Sequence, residues 1–108
     1  MKKGELTVGF GARDDKIGPE FQFGHVMGDH FGEPVLLIKT AWGGKSLALN
    51  FRPPIAGKPG FEIKARRDGT TPKPGEYYRL MMTQAKEVLG NLKKHFPQYA
   101  DRGYEIAG

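Results

Sequence analysis

Residues 35–46 read VLLIKTAWGGKS, a run of branched and leucine side chains that breaks into a tryptophan and two glycines. Val35, Leu36, Leu37 and Ile38 are apolar without interruption, as expected of a strand covered on both faces in a parallel sheet. A buried helix is the competing reading. Between Pro34 and Gly43 there are too few residues for one, so the strand is expected. Trp42, Gly43 and Gly44 then fall just beyond the carboxyl end of that strand, where open α/β sheets bind ligands. Glycine permits the close approach and unusual φ that let backbone N–H groups point at a developing oxyanion. Two glycines also make an ordinary turn, which is the reading that spacing alone favours.

Upstream, Gly18-Pro19-Glu20 opens a helix reading FQFGHVMGDHF. Pro19 suits the first helical position, Glu20 the positive end of the helix dipole, and Gly32 a left-handed C-terminal cap. At 100° per residue Phe23, Val26, Met27, His30 and Phe31 share one face, which is expected to pack on a sheet. Further upstream, Leu6, Val8 and Phe10 alternate with Thr7 and Gly9, a period of two that predicts a short half-buried strand ending at Gly11.

Downstream, residues 50–75 carry Pro53-Pro54, Pro59-Gly60, Asp68-Gly69 and Pro72-Lys73-Pro74-Gly75 as turn signals. The segment reads as a long loop with room for a small hairpin, and loops of that length are usually functional or mobile. Between Arg52 and Gly75 it holds six basic residues, Arg52, Lys58, Lys64, Arg66, Arg67 and Lys73, against Glu62 and Asp68. A second helix follows over 76–95. Tyr77, Tyr78, Met81, Met82, Ala85, Val88, Leu89, Leu92 and Phe96 form its apolar stripe, with Arg79, Thr83, Lys86, Glu87, Lys93 and Lys94 opposite. Pro97 stops it. Residues 103–108 begin another strand, so that 35–40, 76–95 and 104 onward predict a right-handed βαβ unit with parallel strands.

The order GPEFQFGHVMGDHFGEPVLLIKTAWGGKSL over residues 18–47 resembles the sialate O-acetylesterase-like branch of the SGNH hydrolases, and the resemblance extends over roughly residues 6–108. It implies part of a three-layer α/β/α, flavodoxin-like fold with a parallel sheet. It also implies hydrolysis of acetyl esters on sialic acid or a related carbohydrate by a serine nucleophile, without a cofactor. In that family the second conserved block gives a glycine N–H to the oxyanion hole, which makes Gly43 and Gly44 the candidates here. Trp42, Lys45, Arg66 and Arg67 are the candidates for contacting substrate; Trp42 packs against the sugar or supports the loop from within. The family's other blocks, a Gly-Gln-Ser or Gly-Asp-Ser, a Gly-x-Asn-Asp and an Asp-x-x-His, do not occur in this sequence. The resemblance therefore implies an internal part of an enzyme, inactive by itself.

Two motifs near Ser46, the only serine, lead elsewhere and fail. Gly44-Lys45-Ser46 resembles the end of a phosphate-binding P-loop, but Lys39 stands where that motif needs its first glycine. Residues 44–48 approximate a nucleophile elbow with Ala48 in place of the second glycine, but Asn50, Pro53 and Pro54 deny it the helix that must follow. Ser46 is expected to cap the loop. His25, His30 and His95 show no spacing suited to a metal site, and no carboxylate pair has the context of a glycosidase acid and nucleophile.

The composition bounds the remainder. At 108 residues the chain suits one domain with a modest core. It has no cysteine, which removes disulfides, thiolate chemistry and Cys-based zinc sites. Net charge is +5 and the sequence pI about 9.6, which favours acidic partners without selecting one. A solvated basic surface accounts for that charge, and nucleic acid is not the expected partner, although a non-catalytic basic module for acidic glycan or nucleic acid, using Arg66 and Arg67, is the alternative. No apolar run approaches a membrane span, and Met1-Lys2-Lys3 is followed by Gly-Glu-Leu-Thr rather than a signal-peptide apolar region. The compartment stays open; the resembled family is often secreted or periplasmic.

Overall fold

The computed structural model describes residues 1–107. Its elements are helical: α1 (Pro19–Phe31), a 3-10 turn (Pro54–Ala56), α2 (Glu76–Gly90), α3 (Leu92–His95) and a second 3-10 turn (Pro97–Tyr99). They fall in two compact units, one formed by Met1–Lys39 and the other by the chain from Thr40 on.

No strand or sheet exists among the described residues, which overturns the parallel three-layer α/β/α expectation and the βαβ unit with it. A strand is a pairing, and an apolar run without a laddered neighbour gains nothing from extension. Residues 35–38 accordingly lie in irregular backbone, with Val35 and Leu36 37% and 43% exposed. The N-terminal strand fails for a different reason. The N–H groups of Gly9 and Gly11 both donate to the Lys16 carbonyl at 3.0 Å, so residues 9–16 curl back on themselves. Tyr104 and Ile106 are exposed in irregular backbone instead of opening a strand, and Gly108 lies outside the described residues.

In the first unit, α1 begins and ends where its capping residues require. Pro19 occupies the first turn, and Gly32 at φ +63° closes the helix by donating its N–H to the Gly28 carbonyl at 2.9 Å. The Glu20 carboxylate accepts a hydrogen bond from the Lys39 ammonium at 2.7 Å, and that ammonium also donates to the Phe10 carbonyl at 2.6 Å. The Lys39 hydrogen bond, followed by the backbone N–H groups of Glu20 and Gly18, holds the Glu20 carboxyl below its ordinary range. The face of α1 that packs is not the one expected. Gly24 is buried, and a Cβ there would strike the side chains of Leu6 and Leu37. Phe23, Val26 and Phe31 remain exposed, because the sheet meant to cover them does not form. A bare helix surface at Gly24 admits two leucines more closely than the phenylalanine ridge does.

In the second unit, the apolar stripe of α2 turns inward apart from Met82, which stays exposed. Val88 is the one buried large apolar side chain among the described residues, and Tyr77, Tyr78, Met81, Ala85 and Leu89 are half-buried around it. The helix expected over 76–95 breaks once. At Asn91, φ −123° and ψ 29° leave the helical region, and its side-chain amide donates to the Glu87 carbonyl at 2.9 Å, the local competition with helix that asparagine offers. His95 Nε2 lies 3.1 Å from Glu87 Oε1 and ties α3 to α2 across the break.

Candidate functional site

The segment carrying Trp42, Gly43 and Gly44 is held by the turn that follows it. The Ser46 hydroxyl accepts the Leu49 N–H at 3.2 Å and donates to Asn50 Oδ1 at 3.4 Å, while that same oxygen accepts the Ser46 N–H at 2.9 Å. The Asn50 and Phe51 N–H groups both reach back to the Ser46 carbonyl at 3.0 Å. Serine and asparagine thus cap each other's turn, as side chains of this type do at helix starts. Ser46 thus ties the turn together through its hydroxyl and its backbone N–H.

This turn in turn caps α2. The first N–H groups of a helix have no partner within it. Here the Asn50 carbonyl accepts those of Tyr77 and Tyr78 at 3.0 and 3.3 Å, and the Leu49 carbonyl accepts that of Gly75 at 2.8 Å. Gly75 sits at φ +71°, and a Cβ there would lie 2.5 Å from the Arg52 carbonyl oxygen, so only glycine fits between the two segments. The consequence is an aromatic cluster. Trp42 lies 5.3 Å from Tyr77 and 5.9 Å from Phe51, ring centre to ring centre, with Phe51 and Tyr77 6.1 Å apart. Such pairs contribute about 0.5–1.5 kcal/mol each beyond the area they bury. Lys45 completes the group, its ammonium 4.8 Å from the centre of the Tyr77 ring.

Gly43 and Gly44 form an exposed turn on that cluster. Neither has any atom within 4 Å of where a side chain would begin, and Gly44 holds φ +67°. Neither backbone N–H donates to a protein acceptor among the described residues. The loop therefore leaves two backbone N–H groups without a protein acceptor among the described residues, between Trp42 on one side and the Ser46 turn on the other.

The basic loop divides into engaged and free cations. Arg52 is engaged most heavily, since its guanidinium donates to the carbonyls of Ala48, Ala56, Gly57 and Lys58 at 3.2, 2.7, 2.8 and 3.2 Å. Arg66 pairs with Glu76 at 3.2 Å across a closed turn in which its own N–H donates to the Thr70 carbonyl at 2.8 Å. Asp68 closes that turn by accepting the Thr70 hydroxyl at 2.6 Å and the Thr70 N–H at 2.9 Å, and the hydroxyl contact is the main cause of its lowered pKa. Arg67 is exposed and takes no ion-pair or hydrogen-bond partner among the described residues. The structure thus brings together Trp42, Gly43, Gly44 and Lys45, but it sets the two arginines to different tasks.

Neither Arg52 as a clamp nor Phe51 and Tyr77 as partners of Trp42 is legible in the sequence pattern. Only the density of turn signals after Asn50 hinted that an unusual number of carbonyls there would need donors. His25 and His30 are exposed, each edge-on to a phenylalanine of α1. Among the described residues no three His, Asp or Glu side chains gather as a metal site, and no helix is long and apolar enough to cross a membrane. No family model matches the chain, and neither a curated protein nor a solved structure matches it.

Proposed function

We propose that residues 42–46 supply oxyanion-binding N–H groups to a serine carbohydrate O-acetylesterase whose nucleophile, asparagine and Asp-x-x-His residues lie outside these 108 residues. The carrying observation is the pair of unsatisfied N–H groups at Gly43 and Gly44 on a turn anchored at both ends. The resemblance of residues 18–47 to the sialate O-acetylesterase-like hydrolases names the reaction; the expected placement of the loop at the end of a parallel strand lends it no support, since no strand forms among the described residues.

In such a reaction the serine oxygen attacks the acetyl carbonyl, and the carbonyl oxygen gains negative charge as the tetrahedral intermediate forms. Donors placed about 2.7–3.1 Å from that oxygen stabilise it more than the ground-state carbonyl, which lowers the barrier. The sugar hydroxyl leaves with a proton, and water then releases acetate from the serine. Gly43 and Gly44 take part through their backbones alone. Lys45 and the free cations of the loop, Arg67 among them, add attraction for an acidic sugar.

The 108-residue chain and the translation product of its whole reading frame are to be assayed side by side on an O-acetylated sialic acid and an aryl acetate. Turnover by the longer product and none by the 108-residue chain is the expected result. Active-site-titratable turnover by the 108-residue chain, or none by either on both substrates, refutes the reading.

A further inference from the structure

The end of the glycine turn and the start of α2 meet at one residue, Asn50. Its side-chain oxygen Oδ1 accepts the N–H of Ser46, two residues beyond Gly44, at 2.9 Å. Its carbonyl accepts the N–H groups of Tyr77 and Tyr78 at 3.0 and 3.3 Å, and its own N–H donates to the Ser46 carbonyl at 3.0 Å. The atom facing Ser46 is fixed as oxygen, because a backbone N–H only donates. The Asn50 amide nitrogen makes no hydrogen bond among the described residues, so the side chain works through its oxygen alone. Aspartate carries an acceptor at that position and alanine does not. Gly43 and Gly44 depend on such ties, because nothing lies within 4 Å of where their side chains would begin and no packing confines them. Their place is set along the chain, from Trp42 against Phe51 and Tyr77 before them and from Ser46 after them.

We propose that Asn50 is the positioning residue of the Gly43 and Gly44 donors, a role in catalysis that rests on the esterase reading above. Oxyanion donors act at about 2.7–3.1 Å from the oxygen they stabilise, and a misplacement of about 1 Å costs on the order of 10²-fold in rate. Without Oδ1 the Ser46 N–H turns to water, and the far end of the turn keeps only the bonds made to the Ser46 carbonyl and hydroxyl. Removing the Ser46 hydroxyl instead leaves the 2.9 Å bond in place, which is why the asparagine and not the serine controls the donors. Asn50 acts through the backbone that it holds, and donors that tighten only in the transition state change kcat rather than KM.

Asn50→Ala and Asn50→Asp are compared in the full reading-frame product, with kcat and KM measured on an O-acetylated sialic acid. Asn91→Ala is the control, since it removes a side-chain bond to backbone of the same 2.9 Å length at the other end of α2. NMR of the 108-residue variants reads the Gly43, Gly44 and Ser46 amides without reference to activity. Asn50→Ala should lower kcat by about 10–10²-fold, less than the outright loss of a donor, with KM unchanged. Asn50→Asp should restore most of that loss, and Asn91→Ala should cause none. The Gly43 and Gly44 amide signals should shift, and Ser46 exchange should quicken, in Asn50→Ala alone. If Asn50→Ala does not fold by circular dichroism, Asn50→Ser, whose hydroxyl falls one bond short of Oδ1, takes its place with the same expectations. An active product in which Asn50→Ala keeps its kcat overturns the proposal and leaves the esterase reading standing. Equal losses in Asn50→Asp or Asn91→Ala, or unmoved glycine amides, also overturn it. No turnover by the unsubstituted product refutes the esterase reading, and the catalytic role of Asn50 falls with it.

Discussion

Substituting Gly75 by alanine separates two costs that the structure assigns to different glycines. Gly69 at φ +82° and Gly75 at φ +71° are both left-handed, but a Cβ at Gly69 meets open space while one at Gly75 lies 2.5 Å from the Arg52 carbonyl oxygen. Gly69→Ala therefore carries the left-handed penalty alone, about 1–2 kcal/mol. Gly75→Ala carries the same penalty plus the displacement of a backbone atom, with overpacking adding about 1–3 kcal/mol. The displaced residue is Arg52, whose guanidinium holds four carbonyls, so the shift spreads through residues 48–58. Native-state amide exchange across residues 48–58 and the first turn of α2 reads the difference as a difference in local opening free energy. If Gly75→Ala is too unstable to fold, amide exchange in α2 must show its first turn lost in that variant and kept in Gly69→Ala. Equal stabilities within about 0.5 kcal/mol, the ordinary scatter of surface substitutions, would refute the close approach of the two segments.

Other expectations follow from single contacts. Lys39→Met should raise the Glu20 titration midpoint towards the ordinary value of about 4.3, as read by carboxyl NMR. Because the folded-state pKa is lowered, the pairing stabilises above the unfolded pKa and is lost as pH falls through the folded one, so wild type and variant should converge in stability at acid pH. Arg52→Lys keeps the charge but loses the planar fork, and should increase amide exchange across residues 48–58 while α1 is unaffected. With Val88 the one buried large apolar residue among the described residues and Phe23, Val26, Leu47 and Ile55 exposed, the 108-residue chain should bind an apolar dye and melt with low cooperativity. A sharp, dye-free melt would contradict that expectation.

Local punctuation was legible in the sequence because it depends on residues a few positions apart. Pro19, Glu20 and Gly32 bound α1 where their conformational preferences place them, and the stripe from Tyr77 to Phe96 gives the packed face of α2 and α3 except at Met82, which stays exposed. The pattern at 35–38 misled for the opposite reason. Continuous apolarity says that side chains want cover, but it does not supply the partner strand whose hydrogen bonds make a sheet. The face of α1 was misjudged by the same rule, since Phe23 and Val26 stay exposed while Leu6 and Leu37 pack at the Gly24 surface. At the candidate site, the tendency of Ser46 to cap was readable from the prolines downstream. The meeting of Trp42 with Phe51 and Tyr77 was not, because it rests on carbonyls of residues 49 and 50 capping a helix that begins a long loop later.

The role of the glycine turn is tested most directly by three substitutions in the full reading-frame product, with kcat and KM measured on an O-acetylated sialic acid. A side chain at Gly43 meets open space and leaves its N–H in place, so Gly43→Pro is the change that removes the donor. Gly44→Val distorts the second donor by forcing a branched residue to φ +67°. Each should lower kcat by about 10²–10³, the cost of losing one oxyanion donor. Ser46→Ala should lower stability by about 0.5–2 kcal/mol through its lost cap and leave kcat nearly unchanged. The contradicting result is the reverse pattern, in which Ser46→Ala abolishes acyl-enzyme formation while both glycine variants keep their kcat.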